Sequence, residues 1–69
     1  METATIKSWL FEKGFGFAEP DSGGSDVFVH ASSVVGERMP AQGDRIEMSV
    51  MMESRGPRAL RARILKEFE

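Results

Sequence analysis

The chain has 69 residues, no cysteine, one histidine, and nine lysines and arginines against eleven aspartates and glutamates, a net charge of −2. This excludes a disulfide framework, a thiolate metal site and a multi-histidine metal site, so no metal and no cofactor are expected, and the length allows one thin-cored domain over residues 1–69. With no apolar run long enough to span a bilayer and no basic-then-apolar leader, a soluble cytoplasmic chain without a membrane partner is expected, although a basic excess, the usual sign of nucleic-acid binding, is missing.

Turn residues divide the sequence into short segments suited to strands, and nowhere do apolar residues keep helical spacing over the length of a helix. The first predicted strand covers residues 3–11, with β-branched Thr3, Thr5 and Ile6 followed by Trp9, Leu10 and Phe11. After Glu12 and Lys13, the second covers 14–18 and is stopped by Pro20; Asp21-Ser22-Gly23-Gly24-Ser25 is a loop by composition. The third, 26–30, alternates Val27 and Val29 with Phe28 and His30. Residues 31–34 leave strand alternation, and 36–43, containing Pro40, read as a long loop with room for one short helical turn.

The fourth predicted strand, 45–52, puts Ile46, Met48, Val50 and Met52 on one face and Arg45, Glu47, Ser49 and Met51 on the other. Ser54-Arg55-Gly56-Pro57 is a turn, and the fifth strand, 58–65, alternates Leu60, Ala62 and Ile64 with Arg61 and Arg63. Helix is the competing reading for 59–68, whose Ala, Leu, Arg, Lys and Glu favour it, and 66–69 are expected to fray. Short strands with no internal repeat predict an all-β fold, a small five-stranded antiparallel OB-fold barrel, whose closure protects its strand edges.

Alternation places Phe15 and Phe17 on one face of the second strand and Gly14, Gly16 and Ala18 on the other, and it aligns Phe28 with His30 on the third. Glycine weakens strand interiors, so Gly14 and Gly16 imply tight packing or curvature beneath the rings. The phenylalanines could simply be the core. Against this, the opposite faces already supply Ile6, Val27, Val29, Ile46, Met48, Val50, Leu60, Ala62 and Ile64. If the two strands are neighbours, Phe15, Phe17, Phe28 and His30 form an outward aromatic patch flanked by Lys7 and Lys13. Nucleobases suit such a patch: each stacked base contributes roughly 1–3 kcal/mol with little regard to sequence, and lysines meet phosphates. His30, otherwise a surface or capping residue, is suited to stack on or hydrogen-bond a base. There is no cysteine, and no sequence signature gives His30 a nucleophile partner or pairs two carboxylates across a cleft, so an enzyme is not expected. Arg58, Arg61, Arg63 and Lys66 read equally as a solvated face or as an auxiliary phosphate-binding edge.

Lys13-Gly14-Phe15-Gly16-Phe17 and Val27-Phe28-Val29-His30 resemble the two ribonucleoprotein motifs of the cold-shock domain family, in order and separation. The resemblance extends to Ile6-Lys7, Asp26, the Ser32 region and Arg55-Gly56-Pro57. It implies a five-stranded barrel that binds single-stranded RNA or DNA by stacking, as bacterial RNA chaperones of this kind do. Carried over by position, Phe15, Phe17, Phe28 and His30 would stack, with Lys7, Lys13, Asp26 and Arg55 as flanking polar contacts; Arg58, from the arginine series, is a further candidate nucleic-acid contact. The chain departs from the family pattern in three places. Ser8 stands at the usual stacking tryptophan, with Trp9 offered as its replacement through a bulge or register shift. Ala31 replaces a phenylalanine after His30, and the following loop is short and lacks one. The last strand is rich in arginine.

The expected function is single-stranded nucleic-acid binding by a monomer that melts structure passively and hydrolyses nothing. The alternative is an OB-fold protein-interaction module or adaptor. The net charge does not oppose the first, because Glu2, Asp21, Glu37, Asp44, Glu53, Glu67 and Glu69 fall in predicted termini or turns, away from the rings.

Overall fold

The computed structural model describes residues 1–65. Strand β1 (Glu2–Leu10) turns into β2 (Phe15–Pro20), and a glycine-containing loop leads to β3 (Val27–His30). A 3-10 turn (Ala31–Ser33) and the two-residue β4 (Val34–Val35) precede a loop, after which β5 (Arg45–Glu53) and β6 (Gly56–Ile64) form the last hairpin. The strands lie in the order β3-β2-β1-β5-β6-β4, and pairing of β3 with β6 closes a five-stranded barrel with β4 as an extra strand.

The expected barrel is therefore present, but it is not wholly antiparallel. Four of its ladders are antiparallel. The closing one is parallel, with Phe28 opposite Arg58. Alternating directions cannot close around an odd number of strands, so one neighbouring pair must run parallel. Strand β4 also runs parallel to β6, with Val34 opposite Ala62. The competing helix over 59–68 is replaced by strand through Ile64, and the Leu65 N–H donates to the Arg45 carbonyl at 2.8 Å. The short helical turn foreseen within 36–43 lies earlier, over Ala31–Ser33, because the His30 side chain caps it. Glu2 and Glu53 belong to strands rather than to a terminus and a turn. Residues 66–69, where fraying was expected, and with them Lys66, Glu67 and Glu69, lie outside the described residues.

The core consists of Ala4, Ile6, Ala18, Val27, Val29, Ile46, Met48, Ala59 and Ala62, with Trp9, Val34, Val50 and Ile64 packed against it. Alanines on β1, β2 and β6 let the walls of so small a barrel approach while the branched side chains fill its middle. No phenylalanine belongs to this cluster. Two bulges decide which side chains enter it. In β6, Ala59 opposes Val50 and Arg61 opposes Ser49, leaving Leu60 as the extra residue. Leu60, expected inside, is consequently 54% exposed, and Ala59 takes the interior position. Met52, which alternation put on the face of Met48 and Val50, is exposed because it lies opposite Pro57, one step beyond the β3–β6 closure at Arg58. The second bulge lies in β1, where Ile6 opposes Ala18 and Ser8 opposes Phe17, with Lys7 extra.

Candidate nucleic-acid interface

Strands β2 and β3 pair so that Phe15 faces His30 and Phe17 faces Phe28, while Gly16, Ala18, Val27 and Val29 turn inward. Since inward positions are filled by small and branched residues, the rings stand outside. Their centroids form one cluster: Phe15 to Phe28 5.4 Å, Phe17 to Phe28 5.8 Å, Phe15 to Phe17 6.4 Å and Phe28 to His30 6.3 Å. Edge-to-face and tilted packing holds the rings to one another. Phe17 remains 37% exposed and the other three are half-buried.

The β1 bulge settles what stands beside them. Unbroken alternation would carry Trp9 to the outward face shared by Thr5 and Lys7; one inserted residue reverses every side chain after it. Ser8 therefore stands beside Phe17 and Leu10 beside Phe15, while Trp9 opposes Gly16 and packs on the core. A bulge is present as foreseen, but it sends Trp9 away from the rings instead of substituting it for the tryptophan missing at Ser8. Gly16 is what Trp9 requires: a β-carbon there would lie 2.7 Å from Trp9 Cε3 and closer still to the Ser8 carbonyl. Tight packing thus accounts for Gly16. Gly14 lies in the β1–β2 turn, at φ +75°, where its left-handed backbone lets its N–H reach the Leu10 carbonyl at 2.9 Å.

The polar surroundings are equally specific. The Ser32 N–H donates to His30 Nδ1 at 3.1 Å, with the Ser32 hydroxyl at 2.9 Å. An accepting Nδ1 leaves the neutral ring protonated on Nε2. Lys7 donates to Asp26 at 3.2 Å, both side chains being substantially solvated. Lys13 is exposed in the turn, where it lines a shallow hollow with Trp9, Leu10, Phe11 and Glu12. On the other side of the rings, Arg58 continues the row from Phe28, with its Nη1 3.7 Å from the Glu53 carboxylate. Its Nε is buried without a hydrogen-bond partner among the described residues, an omission that costs about 1–3 kcal/mol for such a donor. Phe17, Phe28, Glu53, Arg55, Gly56, Pro57 and Arg58 line a cleft of about 350 Å³.

Of the ten residues singled out in the sequence, Phe15, Phe17, Phe28, His30, Arg55 and Arg58 gather around the rings and this cleft. Lys7 and Asp26 pair with each other, Lys13 stands in the neighbouring turn, and Trp9 is not brought to this face. Arg61 and Arg63 border a different hollow, with Arg63 donating to Glu47 at 2.8 Å. Leu10, Glu53 and Met51, which opposes Arg58, were missed. Only strand register could have found them.

Among the described residues, no group of three His, Cys, Asp or Glu side chains is placed to hold a metal ion, and no helix is long and apolar enough to cross a membrane. The model of the "cold-shock" DNA-binding domain matches residues 2–64. A cold shock-like protein of Listeria monocytogenes, CspLB, is 44% identical over 61 residues, spanning 86% of this chain and 91% of its own. The cold shock-like protein CspA of Vibrio cholerae is 42% identical over 59 residues, 83% of this chain and 84% of the relative. Among solved structures, the Drosophila Unr CSD456 fragment superposes with a TM-score of 0.79 at 27% identity, covering 94% of this chain and 26% of that one. A barrel closed at Phe28, an outward ring cluster on β2 and β3, and a family match running nearly end to end lead to one assignment: the chain belongs to the cold-shock domain family, a family of nucleic-acid-binding domains.

Proposed function

We propose that the chain binds single-stranded RNA or DNA by stacking bases on Phe15, Phe17, Phe28 and His30, and that it acts as a monomeric cytoplasmic chaperone, trapping unpaired strands without catalysing a reaction. The observation that carries this reading is the outward ring cluster, with centroids 5.4–6.4 Å apart, in a barrel whose interior is filled without any of those rings. Aromatic area left outside a core is costly unless a ligand covers it, and a base supplies a matching π-face. In this reading Lys7, Lys13 and Arg55 meet phosphates, which their exposure supports, while Asp26 pairs with Lys7 and Trp9 packs on the core. With serine at the tryptophan position, fewer bases stack and the affinity is modest. The adaptor reading has no comparable observation in its favour.

Fluorescence anisotropy of a labelled pyrimidine-rich strand tests the proposal. Wild type is expected to bind at low salt and to weaken log-linearly as salt rises, with Phe15→Ala and Phe28→Ala each losing about 1–3 kcal/mol of affinity. Absence of binding, or unchanged binding by both variants, rejects it. Binding of a partner protein that is insensitive to salt would favour the adaptor.

A further inference from the structure

We propose that the cleft between the rings and the β5–β6 turn is a base-reading subsite selective for guanine, with Arg58 as the reading residue. This rests on the single-strand reading above and adds base identity to it. Three observations converge. Arg58 lies directly opposite Phe28 across the closing ladder, so a base stacked on that ring presents its edge to the guanidinium. Glu53 lies on the Nη1 side at 3.7 Å, an ion pair too long for a hydrogen bond, and the opposite Nε–Nη2 edge is a fork of two parallel donors. Nε is buried without a partner among the described residues, so turning the side chain to bring it to an acceptor in the cleft breaks no hydrogen bond that Nε now makes.

The Arg58 side chain is 42% exposed, which lets the fork turn into the cleft. A fork of two donors fits two adjacent acceptors. Guanine offers them as O6 and N7, while adenine places an amino donor beside its N7, and thymine or uracil offers a single carbonyl there. Cytosine has adjacent acceptors in N3 and O2 on its pairing edge, but its single ring offers less area to stack across Phe17 and Phe28 than the two rings of guanine. The cleft, about 350 Å³, also has room for a two-ring base across Phe17 and Phe28.

The test compares short labelled strands of thymine carrying one central guanine, adenine, cytosine or 7-deazaguanine, against wild type and Arg58→Lys. Lysine keeps the charge and loses the fork. The guanine strand is expected to bind wild type about tenfold more tightly than the others, including the 7-deazaguanine strand, which lacks the N7 acceptor. Arg58→Lys is expected to lower affinity for the guanine strand about tenfold more than for the adenine strand. Equal binding of all strands by wild type, preference for cytosine, or a guanine preference that survives in Arg58→Lys overturns the proposal. So does a uniform loss across sequences with a shallower salt slope, which marks a phosphate contact. No binding of any strand would overturn the single-strand reading as well.

Discussion

Gly16 couples the two sides of the sheet at the scale of a single residue. It lies between Phe15 and Phe17 on β2, and its missing side chain leaves room for the Trp9 ring on the interior. Gly16→Ala is expected to cost about 1–3 kcal/mol through overpacking, and more if the Ser8 carbonyl cannot move. For a domain this small, each kcal/mol lowers Tm by roughly 4–8 °C, so thermal denaturation by circular dichroism reads the effect directly. An unchanged Tm would mean that Trp9 does not lie over Gly16. The close packing was legible from glycine in a strand interior, and the outward Phe15, Phe17, Phe28 and His30 from alternation. The orientation of Trp9 was not legible, because a one-residue bulge reverses alternation without altering composition.

At the scale of elements, the same limit recurs in β6. Alternation read inward Leu60, whereas the bulge expels it and turns Ala59 into the core. Substitutions at these adjacent positions should therefore behave oppositely to their hydrophobicity. Leu60→Ser is expected to change stability by less than about 0.5 kcal/mol, as exposed positions do. Ala59→Leu, although more apolar, is expected to lose about 1–3 kcal/mol by overpacking the filled interior. Urea unfolding of both variants checks this; a large loss at Leu60 would contradict the register. The strands themselves were readable because turn residues such as Pro20, Gly23, Gly24 and Gly56 punctuate them, although Pro20 proves to be the last residue of β2 rather than a stop before it. Where the bulges fall depends on the partner strand.

At the scale of the molecule, the barrel is braced outside as well as packed inside. Arg45 on β5 grips Asp21, after β2, through two hydrogen bonds of 2.7 and 2.6 Å, and Thr3 on β1 donates to the same carboxylate at 2.6 Å. The Arg45 hydrogen bonds, then the Thr3 one, hold the Asp21 carboxyl well below the usual carboxylate range. A depressed folded-state pKa contributes stability above the unfolded value, about 3.9, and this is lost as pH falls below it. Asp21→Asn is accordingly expected to lower Tm at pH 7, with the gap to wild type closing below about pH 4; a gap independent of pH would show that the charge is not what matters. The sequence by itself determined the all-β class, the family resemblance and the outward ring face. Each follows from residue type and spacing along one strand, where the period of two holds. Only the tertiary structure decided the parallel closure, the inward turn of Trp9, the expulsion of Leu60 and the meeting of Arg58 with Phe28. Those depend on which strand lies beside which and in what register, and pairing between residues distant in sequence leaves no mark on local composition.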